Sequence, residues 1–333
     1  MAAINGSPNN DTLLGTGGND QFDGGAGIDT AQIASASSGA VFSLDDRGRW
    51  VVTSGQGVDT LTGIEQANLN GELITLEHAE KRVNSTTAGD QSNATIAALV
   101  GGGWVVSWMS DNQDGSGYGI YQQRFTATGV ASGAEARVNA TTANQQKYPD
   151  IAALADGGWL VSWASLGQDG SGWGVYQQRY GADGTLHGGE VRVNTTTVSD
   201  QNRFQVTGLN DGGWVVSWTS KDQDGSLYGI YQQRYSHSGT VVGGETRVNT
   251  TASSQYDCSI AALADGGWVV SWSSWEQDGD AGGIYQQRFG PDGTTVGIEV
   301  KVNTTTANEQ DYASVTALSD GGWLVNWVSA GQD

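Results

Sequence analysis

The fold is decided by a five-residue stretch that first occurs as Trp104-Val105-Val106-Ser107-Trp108. The stretch returns in nearly the same form at residues 159–163, 214–218, 268–272 and 323–327. Alternate residues of a β-strand point to the same side of a sheet, so the two tryptophans share one face. We therefore expect an apolar strand in each copy, with its indole rings packed between adjacent repeats. The alternative is that these rings form a sugar-stacking surface.

Two further motifs repeat with the same period as the tryptophan stretch. Arg-Val-Asn begins at residues 82, 137, 192 and 247, and Tyr-Gln-Gln-Arg begins at residues 121, 176, 231 and 285. In the second repeat the pattern predicts strands over residues 151–154, 159–165, 174–180 and 190–194, joined by turns such as Asp156-Gly157. Four antiparallel strands repeated at this period are typical of a propeller blade.

The last repeat ends after its second predicted strand, at Asp333. We therefore expect an all-β chain in which residues 77–333 form an incomplete β-propeller of about four and a half four-stranded blades. Identical consecutive units suit a radial array, because each unit needs to pack only on its neighbours.

The start of the chain has a nine-residue period. Asp11, Asp20 and Asp29 lie nine residues apart in Gly-rich segments, and the large apolar residues Leu13 and Phe22 each follow an Asp by two positions. This pattern is similar to the nonapeptide GGxGxDxUx, where U is a large apolar residue, and so resembles the RTX (repeat-in-toxin) family of calcium-binding β-rolls. Glycine turns expose backbone carbonyl oxygens and Asp adds negative charge, and Ca²⁺ prefers such oxygen ligands.

The resemblance implies a short parallel β-roll over residues 1–39 that binds Ca²⁺. In the family, alternate turns stack on one side, so Asp11 and Asp29 are expected to share one edge and Asp20 to face the other. The metal-binding residues implied in this way are Gly6, Asn9, Asp11, Gly15, Gly18, Asp20, Gly24, Gly25, Gly27 and Asp29. The alternative is a plain turn region rich in Gly, Asp and Asn. Residues 40–76 read as alternating strands around a turn at 45–48, a flanking segment without assigned chemistry.

Composition excludes several classes of partner. Acidic residues outnumber basic ones 36 to 15, a net charge of −21, which disfavours nucleic acids and anionic membranes. No stretch is apolar for long enough to span a bilayer, so we expect no membrane insertion. The single cysteine, Cys258, rules out an intrachain disulfide.

Charged residues also recur in the repeats. An Asp follows Gln in each turn between the second and third strands, as a turn residue or as part of a cation-gathering ring; these are Asp114, Asp169, Asp224, Asp278 and Asp333. An Arg ends each third strand and a Glu begins each fourth, and we expect them to form cross-strand ion pairs; the sets are Arg124, Arg179, Arg234 and Arg288, and Glu135, Glu190, Glu245 and Glu299.

No catalytic constellation recurs with the repeats. His78, His187 and His237 occupy different places in their units and have no recurring acid or nucleophile partner. We therefore expect no enzyme, but a non-catalytic extracellular calcium-binding protein, a surface adhesin or scaffold, with cell-surface glycans or surface proteins as partners besides calcium. The RTX resemblance implies type I secretion and an extracellular or cell-surface location.

Two alternatives remain for the function. One is a calcium-dependent, lectin-like propeller that holds sugars on the aromatic loop residues Tyr118, Trp173 and Tyr228, a position occupied by Ala281 in the fourth unit. The other is a glycan-active hydrolase, whose mark would be a unit with deviating loops, as at Trp275-Glu276.

Overall fold

The computed structural model describes residues 2–25, 27–33, 40–45, 49–76, 82–127 and 129–332. The chain divides into two compact units, Met1–Arg82 and Val83–Asp333. The expectations for the turn at 46–48, for His78, for the boundary at 77 and for Asp333 lie outside the described residues. Within the described ranges there is no helix of the length and apolarity that crossing a membrane would need.

The first unit is built from two sheets whose strands come alternately from the chain. The strands are β1 (Ala2–Asn5), β2 (Thr12–Leu14), β3 (Asp20–Asp23), β4 (Thr30–Ile33), β5 (Val41–Leu44), β6 (Trp50–Ser54), β7 (Gly57–Thr62), β8 (Gln66–Leu69) and β9 (Glu72–Thr75). One sheet has the order β1-β3-β7-β6-β5 and the other β2-β4-β8-β9. The pairs β1–β3, β3–β7, β2–β4 and β4–β8 are parallel. Both sheets therefore contain strands from segments 1–39 and 40–76, which together form a single unit.

The two sheets enclose a small apolar core. Leu13, Phe22 and Ala31 are buried, and each lies two residues after one of the three regularly spaced Asp residues. Leu61 and Ala67 extend the same core into the later strands. The nine-residue period therefore supplies one inward side chain per strand.

The second unit consists of repeated antiparallel sheets. Its strands are β10 (Gln91–Ala98), β11 (Trp104–Asp111), β12 (Tyr118–Phe125), β13 (Ala131–Arg137), β14 (Gln146–Ala153), β15 (Trp159–Leu166), β16 (Trp173–Tyr180), β17 (Leu186–Arg192), β18 (Gln201–Gly208), β19 (Trp214–Lys221), β20 (Tyr228–Tyr235), β21 (Val241–Arg247), β22 (Gln255–Ala262), β23 (Trp268–Trp275), β24 (Gly282–Phe289), β25 (Thr295–Lys301), β26 (Gln310–Ala317) and β27 (Trp323–Ser329). They form four sheets of four strands, each in chain order, and one sheet of two. The all-β, propeller-like arrangement of repeated four-stranded sheets is as expected.

The paired tryptophans pack between successive sheets, as the sequence predicts. Trp159 and Trp163 of the second sheet are buried in one cluster with Val105 and Ile120 of the first. The Trp159 indole also donates a hydrogen bond of 2.9 Å to Gln122 in the preceding sheet. Because these rings are enclosed, they do not form a sugar-stacking surface.

The first strand of every sheet of the second unit contains a β-bulge that the sequence patterns did not predict. In β14 the pairing with β15 shifts between Lys147 and Asp150, so the strand starts at Gln146 and not at the predicted residue 151. The bulge residue Tyr148 has a positive φ of 57°. Strict alternation of side chains is interrupted at such a residue, which hides the first half of the strand from a period-two pattern.

The predicted ion pairs between Arg at the end of the third strand and Glu in the fourth are wrong. Arg179 lies opposite His187 and not Glu190, because the register between β16 and β17 shifts after Gln177. Arg179 binds Asp156 of its own sheet at 2.6 Å, and Arg234 likewise binds Asp211 at 2.5 Å. The Glu residues instead accept hydrogen bonds from the linker of the preceding repeat.

Candidate functional site

Five residues occupy one equivalent bulge position in the first strands of the five sheets. All five have left-handed backbone angles, with φ between 47° and 57°; they are Asn93 (50°), Tyr148 (57°), Arg203 (47°), Asp257 (53°) and Tyr312 (56°). Non-Gly residues rarely adopt this conformation, and strained positions of this kind cluster at functional sites. A Gln precedes this position by two residues in every one of these strands, whereas the bulge residue itself changes from amide to aromatic, cationic and anionic.

Four of the five bulge residues line a cavity of about 680 Å³. These are Tyr148, Arg203, Asp257 and Tyr312, and the half-buried Trp173 completes one wall. A second cavity of about 360 Å³ adjoins the first and shares Asn202, Arg203, Asp257 and Tyr312 with it. The two cavities are named here the larger and the smaller cavity, and together they form the candidate site.

An ion pair stands where the two cavities meet. Arg203 Nη1 lies 2.5 Å from Asp257 Oδ1, and the Arg203 side chain is still 55% exposed. Burial raises the pKa of Asp257; Arg203 opposes that shift, and the charge of Asp311 adds to it. Asp311 itself lines the smaller cavity. The site therefore holds two mutually interacting carboxyl groups and one guanidinium group.

The backbone of Arg203 is hydrogen-bonded to Cys258, the one cysteine in the sequence. The Cys258 thiol donates a hydrogen bond of 3.3 Å to the carbonyl oxygen of Arg203 and accepts one of 3.6 Å from Ser217. Burial raises the pKa of the thiol to about 12. Cys258 is thus a packed positioning group and not a nucleophile.

Aromatic rings line both cavities of the site. Tyr148 and Tyr312 are 53% and 65% exposed. Of the aromatic loop residues singled out in the sequence, Trp173 lines the larger cavity and Tyr228 lines the smaller one. In the fourth sheet the equivalent of Tyr228 is Gly282 and not Ala281, because Lys221 pairs with Tyr228 as Trp275 pairs with Gly282.

The recurring Asp of the Gln-Asp-Gly turns is structural. Asp114 accepts hydrogen bonds from the backbone of Ser116 at 3.2 Å and from the side chain of Asn139 at 3.3 Å. Asn139 is buried and also bonds Thr141 and Gln146. The same contact joins Asp169 to Asn194. These carboxyl groups cap turns within their own repeats.

In the first unit, the structure brings Asp11 and Asp29 together on one edge. The Asp11 N–H donates to Asp29 Oδ1 at 2.7 Å, and the Asp29 N–H donates to Glu65 Oε2 at 2.8 Å. Glu65 therefore continues the stack, a role that the sequence patterns did not indicate. Gly6, Asn9, Gly24, Gly25 and Gly27 lie at the same edge: Gly6 faces the carbonyl of Gly24, Gly25 faces Ser7, and Gly27 faces Asn9.

The remaining predicted metal-binding residues lie on the opposite edge. The Asp20 N–H donates to Asp59 Oδ1 at 2.8 Å, and both side chains are buried. Burial and the charge of Asp20 raise the pKa of Asp59. Gly18 approaches Gly57, and Gly15 approaches the carbonyl of Gln32. Asp59, like Glu65, comes from the flanking segment to which the sequence assigned no chemistry.

The edge at Asp29 has features that fit a cation. Asp29 Oδ2 is buried without a hydrogen-bond partner. A methyl group on Gly24 would collide with the Gly63 carbonyl oxygen and lie 2.6 Å from Asp29 Oδ2, so only glycine leaves these oxygens clear. No group of three or more His, Cys, Asp or Glu side chains converges within the described ranges. A calcium ion here would therefore depend on backbone carbonyls beside the carboxyl groups.

The candidate site in the repeats does not follow from the recurring motifs of the sequence. Arg203, Asp257 and Asp311 appear once each at their positions, which makes them invisible to a search for periodic motifs. The sequence does mark the site by a local loss of repetition. Three-residue segments differ there between repeats that are otherwise similar, such as Asn202–Phe204 and Tyr256–Cys258.

Comparisons with known proteins rest on the fold. Neither a protein-family model nor a curated protein matches the sequence. Among solved structures, the chain is similar to a Penicillium chrysogenum α-L-arabinanase complexed with arabinobiose, at 13% identity and a TM-score of 0.51 over 73% of this chain and 76% of that one. It is also similar to an α-L-arabinofuranosidase of Fusarium graminearum with arabinobiose, at 10% identity and a TM-score of 0.46 over 71% and 74%.

These comparisons contradict the prediction of a non-catalytic adhesin or scaffold. The similar structure with a TM-score above 0.5 carries the name of a glycan-degrading enzyme, an α-L-arabinanase. The prediction was wrong because it required catalytic residues to recur with the repeats, whereas a repeated frame can carry a single asymmetric set. At such low identity the likeness shows the fold alone, and the chemistry must be argued from this chain's own residues.

Proposed function

We propose that the repeat unit acts on glycans: the candidate site binds a saccharide, and Asp257 and Asp311 cleave a glycosidic bond in it. The observation that carries this proposal is the set of unlike bulge residues around one cavity, with exposed tyrosine rings beside two interacting carboxyl groups. Tyrosine faces stack on sugar rings, and paired carboxyl groups are the usual means of glycoside hydrolysis.

The two carboxyl groups have different roles in this proposal. Asp257, whose pKa is raised by burial, donates its proton to the glycosidic oxygen as the bond from that oxygen to the anomeric carbon breaks. Asp311 takes a proton from the water that attacks the anomeric carbon. Arg203 then stabilises the Asp257 carboxylate that is left. The arabinanase similarity makes arabinan and its oligosaccharides the first substrates to test.

The test is hydrolysis of arabino-oligosaccharides, followed by the appearance of new reducing ends. We expect Asp257→Asn and Asp311→Asn each to lower the rate by about 10²-fold or more, the usual contribution of a general acid or base. The matched control is Asp211→Asn, which breaks an Arg–Asp pair of the same length away from the cavities. A glycan array extends the test to other sugars. Binding without cleavage would favour the lectin-like alternative, and neither binding nor cleavage would contradict the proposal.

For the first unit we propose calcium binding at the edge that contains Asp11, Asp29 and Glu65. The buried, unpartnered Asp29 Oδ2 supports this proposal, together with the Gly6, Gly24 and Gly63 backbone that stacks beside it. The ion would offset the repulsion between stacked carboxyl groups and so order the roll. With the RTX resemblance, this also supports an extracellular location, where calcium is plentiful.

A further inference from the structure

The larger and the smaller cavity meet at one ion pair. Arg203 and Asp257 line both, and their side chains, 2.5 Å apart, span from the first strand of the third sheet to that of the fourth. Each cavity also has an aromatic residue of its own: Tyr148 lies in the larger one and Tyr228 in the smaller one. The site is thus two compartments on either side of a polar bridge.

We propose that these compartments are two sugar subsites, and that a single oligosaccharide occupies both by lying across the Arg203–Asp257 bridge. The inference rests on the proposed function and adds to it a minimum ligand length of two sugar rings. Each ring stacks on the tyrosine of its own compartment, while the polar bridge faces the linkage between them.

Arg203 can serve both subsites at once. A guanidinium group has five N–H donors in a fixed plane, and the contact with Asp257 uses only Nη1. Because more than half of the Arg203 side chain is exposed, the remaining donors are available to sugar hydroxyl groups on both sides. Arg203 is in this sense a specificity-determining residue that selects chains over single sugars.

The charges of the bridge also select the class of sugar. While Asp257 is protonated, the Asp311 carboxylate offsets the one guanidinium group, and the whole chain carries a net charge of −21. A uronic acid would add a further carboxylate beside them and would be repelled. The ligand is therefore a neutral oligosaccharide.

The experiment is calorimetric titration of the full chain with arabinose and with arabino-oligosaccharides of two, three and four units. We expect affinity to rise when a second ring is added. Tyr228→Gly should remove that rise, with about a tenfold loss for the longer sugars and no loss for arabinose, whereas Tyr148→Asn should weaken every length. Galacturonate oligomers of the same lengths should bind at least tenfold more weakly than the neutral sugars.

Two further variants separate binding effects from misfolding. The residues introduced by Tyr148→Asn and Tyr228→Gly already occur at the equivalent positions of other sheets, as Asn93 and Gly282. Tyr228→Trp introduces the residue found at the equivalent position Trp173 and should keep the gain in affinity from the second ring. Tyr118→Gly is the matched control, because it makes the change from Tyr to Gly in the first sheet, outside both cavities. An equal affinity of Tyr228→Gly and the unaltered chain for the longer sugars would overturn the two-subsite inference alone. Failure of the unaltered chain to bind any of these sugars would overturn it together with the proposed function.

Discussion

Asp150 shows how one side chain can join two sheets. Its Oδ2 accepts the backbone N–H of Val206 in the third sheet at 2.9 Å, and its Oδ1 accepts that of Ile151 at 3.0 Å. At the corresponding place between the fourth and fifth sheets, the Ser259 hydroxyl accepts the N–H of Val315 at 3.1 Å. The Asp150 carboxyl group thus accepts the same kind of intersheet hydrogen bond as the neutral Ser259 hydroxyl. Burial raises the pKa of Asp150 to about 6.

We predict that Asp150 makes the stability of the repeat unit depend on pH. Its pKa is higher in the folded chain than in the unfolded one, so its contribution is full below about pH 4 and is lost as pH rises through about 6. Because part of the residue remains exposed, the loss should be at most about 3 kcal/mol. The measurement is the free energy of unfolding in urea at several pH values for the unaltered chain and Asp150→Ser. The difference between them should change over this window; a constant difference would contradict the prediction.

Arg203 should set the upper pH limit of the proposed hydrolysis. Asp257 must be protonated to act as the acid, and the guanidinium group lowers its pKa against the effect of burial. Arg203→Asn, which copies the first sheet, should therefore move the high-pH limb of the rate profile to higher pH. Arg234→Asn breaks an Arg–Asp pair of the same length outside the cavities and should leave the limb in place. An unmoved limb in Arg203→Asn would mean that Asp257 is not the acid.

At the scale of elements, each sheet is joined to the linker that precedes it by a Glu in its outermost strand. Glu245 accepts hydrogen bonds from the Thr195 N–H at 2.6 Å and the Thr195 hydroxyl at 2.9 Å. Gln223 donates to its other oxygen. Glu135 has the same arrangement with Ser85 and Gln113. These contacts connect residues about fifty positions apart and replace the ion pairs expected from the sequence.

We predict that Glu245→Ala weakens this connection between repeats. Several charge-assisted hydrogen bonds disappear, but the site is partly open to water, so the loss should be about 1–2 kcal/mol. Glu309→Ala removes an exposed carboxyl group of the same unit and should change the unfolding free energy by less than about 0.5 kcal/mol. Equal effects of the two substitutions, measured by urea unfolding, would contradict the structural role of Glu245.

The same elements show what the sequence could predict. The strands that begin at Trp159 and Trp214 follow from the alternation of large apolar residues, and so does their packing between sheets. The bulged strands did not follow, because a left-handed residue such as Tyr148 shifts the register by one and reverses the faces. The candidate site lies on those bulges, so a method that depends on unbroken periodicity could not find it.

At the scale of the whole molecule, the two units use repetition differently. In residues 1–82 the turns stack parallel strands, so equivalent residues such as Asp11 and Asp29 become direct neighbours. In residues 83–333 each repeat forms its own sheet, and equivalent residues of successive repeats lie on separate sheets that meet through packing, linkers and the Arg203–Asp257 ion pair. Stacked repetition concentrates like charges, whereas sheet repetition spaces them apart.

We predict that calcium binding belongs to the first unit alone. Asp29→Asn should abolish the calcium heat in calorimetric titration of the full chain, because the unpartnered oxygen becomes an amide that cannot serve as an anionic ligand. Asp114→Asn, in a turn of the repeats, should leave the titration unchanged. The binding of arabino-oligosaccharides should be the same in Asp29→Asn and the unaltered chain. A heat of calcium binding that is still measured in Asp29→Asn would contradict this assignment.

The bulge position gives this frame a capacity for change. Its backbone holds the same left-handed angles whether the residue is Asn, Tyr, Arg or Asp, so the shape of the frame does not depend on which one is present. Each of the five places can therefore accept a different residue without a change in the backbone of the frame. If the sheets arose by duplication and the bulge residues changed afterwards, the chain could acquire a new ligand while keeping the same fold.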